Sequence, residues 1–140
     1  MKPHFQFLIP ARDTILDKDS GELIIMRPFD KLLLPKDRSP YTYPFHAAGK
    51  LLFDEGGEKG AVIVDINVRI KIIAPDGSEI ATSELRGKIN TGFGVALNAN
   101  FPSPSFKQEG KYLLVADLSV NNGEFKKIEG SGFFKAERLY

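Results

Sequence analysis

Asp17-Lys18-Asp19-Ser20-Gly21-Glu22 gathers four oxygen-bearing side chains within six residues. Oxygen ligands at close spacing are what a chain needs to cage a hard divalent cation such as calcium. An EF-hand loop, however, sets oxygens at loop positions 1, 3 and 5, glycine at 6 and a bidentate glutamate at 12. Counted from Asp17, position 5 is Gly21, position 6 is Glu22 and position 12 is Pro28, and the flanks read as strands. The stretch predicts a turn in which Asp and Ser bond nearby backbone and Gly21 supplies a positive φ. No metal site is assigned to Asp17 and Asp19.

The other groups with chemical potential are few. His4 and His46 are the two histidines, and both fall at outward positions of predicted strands with no second histidine at ligand spacing. A serine–histidine–acid triad lacks its usual setting. There is no G-x-S-x-G elbow, and Ser131 in "EGSGFF" sits between glycines in a strand context rather than at a strand-to-helix turn. Gly92 and Gly94 in "NTGFGVALNANF" lack the helix and the Lys-Ser/Thr pair of a phosphate loop, so they predict a bulge or a close sheet crossing. No catalytic residue and no cofactor is expected, and a hydrolase is disfavoured.

"YTYPF", residues 41 to 45, offers more. In an extended segment Tyr41 and Tyr43 point the same way, stiffened by Pro40 and Pro44. Rigid aromatics on a loop can stack on a sugar ring or anchor a protein partner. With Phe106 they form the one candidate ligand-binding set. The competing and preferred use is to cover an open end of the domain, since apolar surface seeks burial first.

The elements that must position these residues are strands. "AVIVDINVRIKII", residues 61 to 73, sets Val62, Val64, Ile66, Val68, Ile70 and Ile72 on one face and Asp65, Asn67, Arg69 and Lys71 on the other. That alternation describes a strand with one side in a core and one in water, and its length predicts a bulge or bend. Pro75-Asp76-Gly77 predicts a turn, after which a strand over about 79 to 89 pairs back. Asn122-Gly123 predicts a type I′ hairpin within 112 to 130. Phe5, Phe7 and Ile9 share a face, as do Phe45, Ala47, Gly49, Leu51 and Phe53. Further strands are expected near 22 to 27, 30 to 34 and 91 to 98, linked by proline-rich loops over 34 to 44 and 100 to 110 and a mobile turn over 54 to 60. The expectation is an all-β chain with little or no helix, folded as a single antiparallel β-sandwich of eight or nine strands with Greek-key or meander links, one domain over 1–140.

"GELIIMRPFDKLL", "YPFHAAGKLLF", "GAVIVDINVRIKIIAPDGSEI" and "EGKYLLVADLSVNNGEF" together cover most of the chain. Their punctuation (Pro44, Asp76-Gly77, Gly110-Lys111-Tyr112 and Asn122-Gly123) resembles a bacterial family of small immunoglobulin-like β-sandwich domains of unknown function. The resemblance implies an immunoglobulin-like sandwich and carries no catalytic residues. One departure stands out: Met26-Arg27-Pro28 occupies the place of a glycine-containing bend.

Bulk properties fit this reading. A chain of 140 residues with 42% hydrophobic content can bury a core without disulfides, and there are no cysteines to form them. A net charge of +1 argues against general nucleic-acid or anionic-membrane binding. The N-terminal apolar run is too short and too interrupted for a signal peptide or a span, so the expected compartment is cytoplasmic. The expected function is a non-enzymatic domain acting through protein–protein contact or self-association, possible homo-oligomer included; the alternative is a glycan or small-ligand module using Tyr41, Tyr43 and Phe106.

Overall fold

The computed structural model describes residues 2–17, 19–54 and 62–139. Among them the chain is all β, with no helix, and no helix long and apolar enough to cross a membrane. The strands in order are β1 (Lys2–Leu16), β2 (Leu23–Pro28), β3 (Lys31–Leu34), β4 (Tyr41–Thr42), β5 (Phe45–Asp54), β6 (Ile63–Ile73), β7 (Glu79–Asn90), β8 (Val95–Phe101), β9 (Ser105–Phe106), β10 (Gly110–Val120), β11 (Lys126–Lys127) and β12 (Gly132–Arg138). Three of these twelve are two residues long, which leaves nine of four residues or more. The mobile turn expected over 54 to 60 falls, after Asp54, outside the described residues.

Two sheets carry the fold. One runs β2-β1-β5-β8, and the other runs β3-β12-β10-β6-β7 with β11 beside β10; β4 and β9 form a small third pair. Period-two alternation explains why they bury a shared core. Val64, Ile66, Val68, Ile70 and Ile72 of β6 are all buried, facing Phe45, Ala47, Leu51 and Phe53 of β5. Tyr112 and Phe134 stack at 5.3 Å, and Phe45 stacks on Phe101 at 5.2 Å, with Phe106 edge-on to Tyr112. The expectation of purely antiparallel sheets needs correction: β3 pairs β12 in parallel, from Lys31 beside Lys135 to Leu34 beside Arg138. The second sheet curls, so a flat two-layer sandwich does not describe the whole molecule.

Local chemistry sets the turns. Gly77 takes a φ of 89° and its N–H reaches the Ala74 carbonyl at 2.9 Å, closing Pro75-Asp76 into the turn that joins β6 to β7. The bulge expected in the long strand lies at its end, between Ile72 and Ile73. The hairpin after β10 is displaced by one residue from Asn122-Gly123. Asn121 and Asn122 both hold positive φ, and Gly123 N–H bonds the Val120 carbonyl at 2.9 Å. Two asparagines therefore supply the left-handed pair of the type I′ geometry. At Arg27 the φ of 54° makes the bend without glycine, and the guanidinium pairs with Asp13 across the strands.

One side of the molecule is closed by backbone alone. Phe5 N–H bonds the Glu129 carbonyl at 2.8 Å, tying β1 to the segment that leads into β12. A Cβ on Gly132 would lie 3.0 Å from the Leu8 carbonyl carbon and nearer still to its oxygen. No side chain fits between these strands. Gly132→Ala should therefore lower stability by about 3 kcal/mol in denaturant unfolding, the range for overpacking with no room to yield; a loss below about 0.5 kcal/mol would show that the crossing is looser than this.

Asp76 gives a second expectation. Its carboxylate accepts from the Ser78 hydroxyl at 2.6 Å and the Ser78 N–H at 2.9 Å, and from Gln108 at 2.8 Å. Those bonds, the Ser78 hydroxyl foremost, hold its pKa down at about 2 from an ordinary 3.8. A depressed carboxylate stabilises the fold above its ordinary pKa and loses that contribution as pH falls through about 2. Thermal melting should show Asp76→Asn less stable than the parent at neutral pH, the gap narrowing below about pH 4 and vanishing near pH 2. A gap that did not change with pH would show that the bonds act independently of the charge.

Candidate functional site

Four surfaces bring polar or apolar side chains together. The first is the acidic turn. Asp17 accepts from the Asp19 N–H at 2.9 Å, Ser20 Oγ accepts from the Glu22 N–H at 3.2 Å, and Gly21 holds a φ of 74°. The Asp19 N–H is the main reason that the Asp17 carboxyl lies below the usual range. Its oxygens are committed to the local backbone, as a turn requires, and no group of three or more His, Asp or Glu converges among the described residues.

The histidines stand apart. His4 lies opposite Leu52 and Ala11 opposite His46, so six residues of β5 separate them, about 20 Å at strand rise. His4 faces Asp54 at 3.5 Å, and His46 Nδ1 lies 3.2 Å from Asn98 Oδ1, which also accepts from Thr14.

The tyrosines form the second surface. Tyr41 pairs with Phe106 and Thr42 with Ser105 in the β4–β9 ladder, which seals one end of the molecule. Phe106 is 1% exposed and wedged among Phe45, Tyr112 and Phe134. It belongs to the core and presents no face to a ligand in this arrangement. Tyr43 meets Phe29 edge-on at 5.7 Å, and Tyr41 leans on Tyr43 at 6.2 Å; both are partly buried. Beside them runs a shallow cleft of about 340 Å³ that also takes in Arg12, Asp13, His46 and Asn100. The pattern of residues 41 to 45 located this cleft, whereas nothing local in the sequence separates Phe106 from an exposed aromatic.

The third surface is the outer face of the larger sheet. Lys71 reaches Asp117 at 2.8 Å and Glu79 at 3.7 Å, Asn67 donates to Glu84 at 2.6 Å, and Arg69 lies 3.8 Å over the Phe125 ring. Asp117 holds the Lys71 ammonium above its ordinary pKa, and Asn67 and Arg86 hold Glu84 below its own. This face is a lattice of neighbouring opposite charges.

The fourth is the β1–β2 hairpin, which sequence periodicity did not single out. β1 leaves β5 after Ala11, and its far half pairs with β2 alone. Ile15 lies opposite Ile24 and Asp13 opposite Met26, so Ile15, Ile24 and Met26 share one face, with Asp13 at its end. Ile15 and Ile24 are each 48% exposed, and β2 is a terminal strand of its sheet. Residues 13–16 (Asp-Thr-Ile-Leu) and 23–26 (Leu-Ile-Ile-Met) carry no period-two alternation, so the face emerges only from the β1–β2 register.

Since Tyr43 packs on core aromatics, Tyr43→Ala should lower stability by about 1–3 kcal/mol in urea unfolding, less than a fully buried aromatic would. An unchanged midpoint would show that the ring rests on the surface.

No family model matches the chain, and no curated protein matches it. Among solved structures, Pseudomonas fluorescens alkylpurine DNA glycosylase AlkC bound to DNA containing an abasic site analog is similar at a TM-score of 0.41 with 10% identity, over 97% of this chain and 30% of that one. The chain thus spans less than a third of that protein's length.

Proposed function

We propose that the chain is a non-enzymatic, immunoglobulin-like β-sandwich that acts by self-association through the β1–β2 hairpin. The observation that carries this reading is the coincidence of an open sheet edge with an apolar face on the same hairpin. Natural edge strands are usually shortened, charged or covered, because unpaired N–H and C=O groups recruit another strand. β2 instead carries Ile24 and Met26 outward beside Ile15. Related by a twofold axis at the β2 edge, two copies would continue the sheet and set the two patches side by side in contact.

Two features support the immunoglobulin-like part. Tyr112, near the start of β10, donates its hydroxyl to the Gln108 carbonyl at 2.8 Å, four residues upstream, as in the tyrosine corner of that fold. Two residues on, where such domains often place a disulfide cysteine, stands Leu114, fully buried.

A second reading rests on the cleft beside Tyr41 and Tyr43, where an aromatic wall faces Asp13, His46 and Asn100. That mixture of stacking surface and hydrogen-bonding groups suits a sugar ring. Tyr41→Ala should then abolish retention on a glycan array while leaving assembly intact.

Light scattering coupled to size exclusion, over a roughly hundredfold concentration range, tests the main reading. The parent protein should form a defined dimer that dissociates on dilution. Ile24→Lys, which sets a charge on the patch, should remain monomeric with an unchanged circular-dichroism spectrum. A parent that is monomeric throughout would overturn the proposal, as would a lysine variant that still dimerises.

A further inference from the structure

The outer face of the larger sheet carries a polar hollow of about 380 Å³ between β7 and the turn after β10. β6 runs along it, with Asp65 and Asn67 alternating against the buried Val64, Ile66 and Val68 and so pointing away from the core. Register places the sides. Asn67 lies between Ser119 of β10 and Arg86 of β7, and Asp65 lies opposite Lys88, so all of these side chains share the outer face. Asn122, from the turn, completes the lining. That turn is fixed beside β6: the Asn121 N–H donates to the Asp65 carbonyl at 2.8 Å, and the Asp65 N–H donates to Asn121 Oδ1 at 2.9 Å.

One acceptor among these groups has no donor. Asn67 Nδ2 donates to Glu84 Oε1 at 2.6 Å, which fixes the amide's orientation, because a carboxylate needs a donor and not a carbonyl. Asn67 Oδ1 is buried and, among the described residues, unpartnered. The neighbouring hydroxyl does not serve it, since Ser119 gives its one proton to the Gly123 carbonyl at 2.7 Å. A buried amide oxygen without a donor is costly, so this position suits a group that brings one.

The β7 side is cationic and has donors to offer. Arg86 meets Glu84 through one nitrogen at 3.1 Å, its side chain is 75% exposed, and a guanidinium carries five donors in a fork. Lys88 stands 3.8 Å from Asp65, beyond hydrogen-bond reach. Charge is therefore separated across the hollow, with cations on β7 and the Asp65 carboxylate and Asn67 oxygen on β6. A simple anion would be opposed by Asp65, and by Glu84 beside Arg86. A simple cation would be opposed by Arg86 and Lys88. A zwitterion matches both sides.

We infer that this hollow binds a free α-amino acid as its zwitterion. The ligand's carboxylate takes the Arg86 fork and the Lys88 ammonium, and its own ammonium donates to Asp65, Asn67 Oδ1 and Asn122 Oδ1. The one large apolar residue of the lining is Ile66, which is buried and turned to the core. The site thus reads the two charged groups common to amino acids and is tolerant of the side chain.

Titration of isotope-labelled protein with L-alanine, followed through its amide chemical shifts, tests this. Saturable shifts should centre on residues 65–67, 86–88 and 119–122, and L-leucine should bind within about threefold of L-alanine. N-acetyl-L-alanine, which lacks the ammonium, and L-alanine methyl ester, which lacks the carboxylate, should each bind about tenfold or more weakly. Arg86→Gln and Asp65→Asn should each weaken L-alanine about tenfold with little change in melting temperature, since exposed ion pairs add little stability. Absence of saturable shifts at these amides up to millimolar L-alanine would overturn the inference, and so would undiminished binding by Arg86→Gln. Equal binding of N-acetyl-L-alanine would overturn the role given to Asp65 and Asn67.

Discussion

The arrangement of both sheets depends on a contact between two backbones with no side chain between them. Gly132 lies against the Leu8 carbonyl, Gly130 at a φ of 95° passes beside Phe5, and the Phe5 N–H bonds the Glu129 carbonyl. Packed sheets usually stand about 10 Å apart, with interlocking side chains filling the space. Here two glycines bring one edge much closer. At the other side, where β7 and β8 end the two sheets, inward-facing Leu85, Ile89 and Val95 are half-buried while the centre of β6 is sealed.

The outer faces divide the remaining work. On the larger sheet, Lys71, Arg69, Glu84, Asp117 and Glu79 neutralise one another across adjacent strands. Exposed pairs of this kind add little stability, but they keep that face solvated and give a strand from another molecule no apolar purchase. The hairpin of the smaller sheet has less such protection, one ion pair between Asp13 and Arg27. After Ala11, β1 leaves β5, so β2 is carried outward with Ile24 and Met26 toward solvent. Thr14 ties the hairpin back to β8 through Asn98. The same segment thus offers an open edge on one side and sets Leu16 in one hollow with Leu85, Ile89 and Val95 on the other.

Much of the strand pattern was legible because one-sided burial imposes period two. The span over 79 to 89 and the Asp76-Gly77 turn emerge where alternation and turn chemistry put them, with β7 running from Glu79 to Asn90. What alternation does not encode is partner identity. The parallel pairing of β3 with β12 joins residues about a hundred apart, and an alternating strand looks the same whichever direction its neighbour runs. The hairpin shifted by one because asparagine also tolerates positive φ, so Asn121-Asn122 competed with Asn122-Gly123. Tyr41 and Tyr43 were recognisable as an end cover, but Phe106 was not recognisable as core, since its burial comes from Tyr112 and Phe134 arriving later in the chain. Gly87 and Gly132 look alike in sequence and have opposite roles, one leaving space and the other allowing contact. Only the neighbours distinguish them.

The β2 edge is the most consequential surface in this account, and amide hydrogen exchange resolved to single residues examines it directly. Exchange should be followed at a low and a high protein concentration. The free amides between Leu23 and Arg27 should become protected as concentration rises, while those along β7 keep their rates. Equal exchange of the β2 amides at both concentrations, or protection gained along β7 instead, would contradict the assignment of this edge as the surface through which the molecule works.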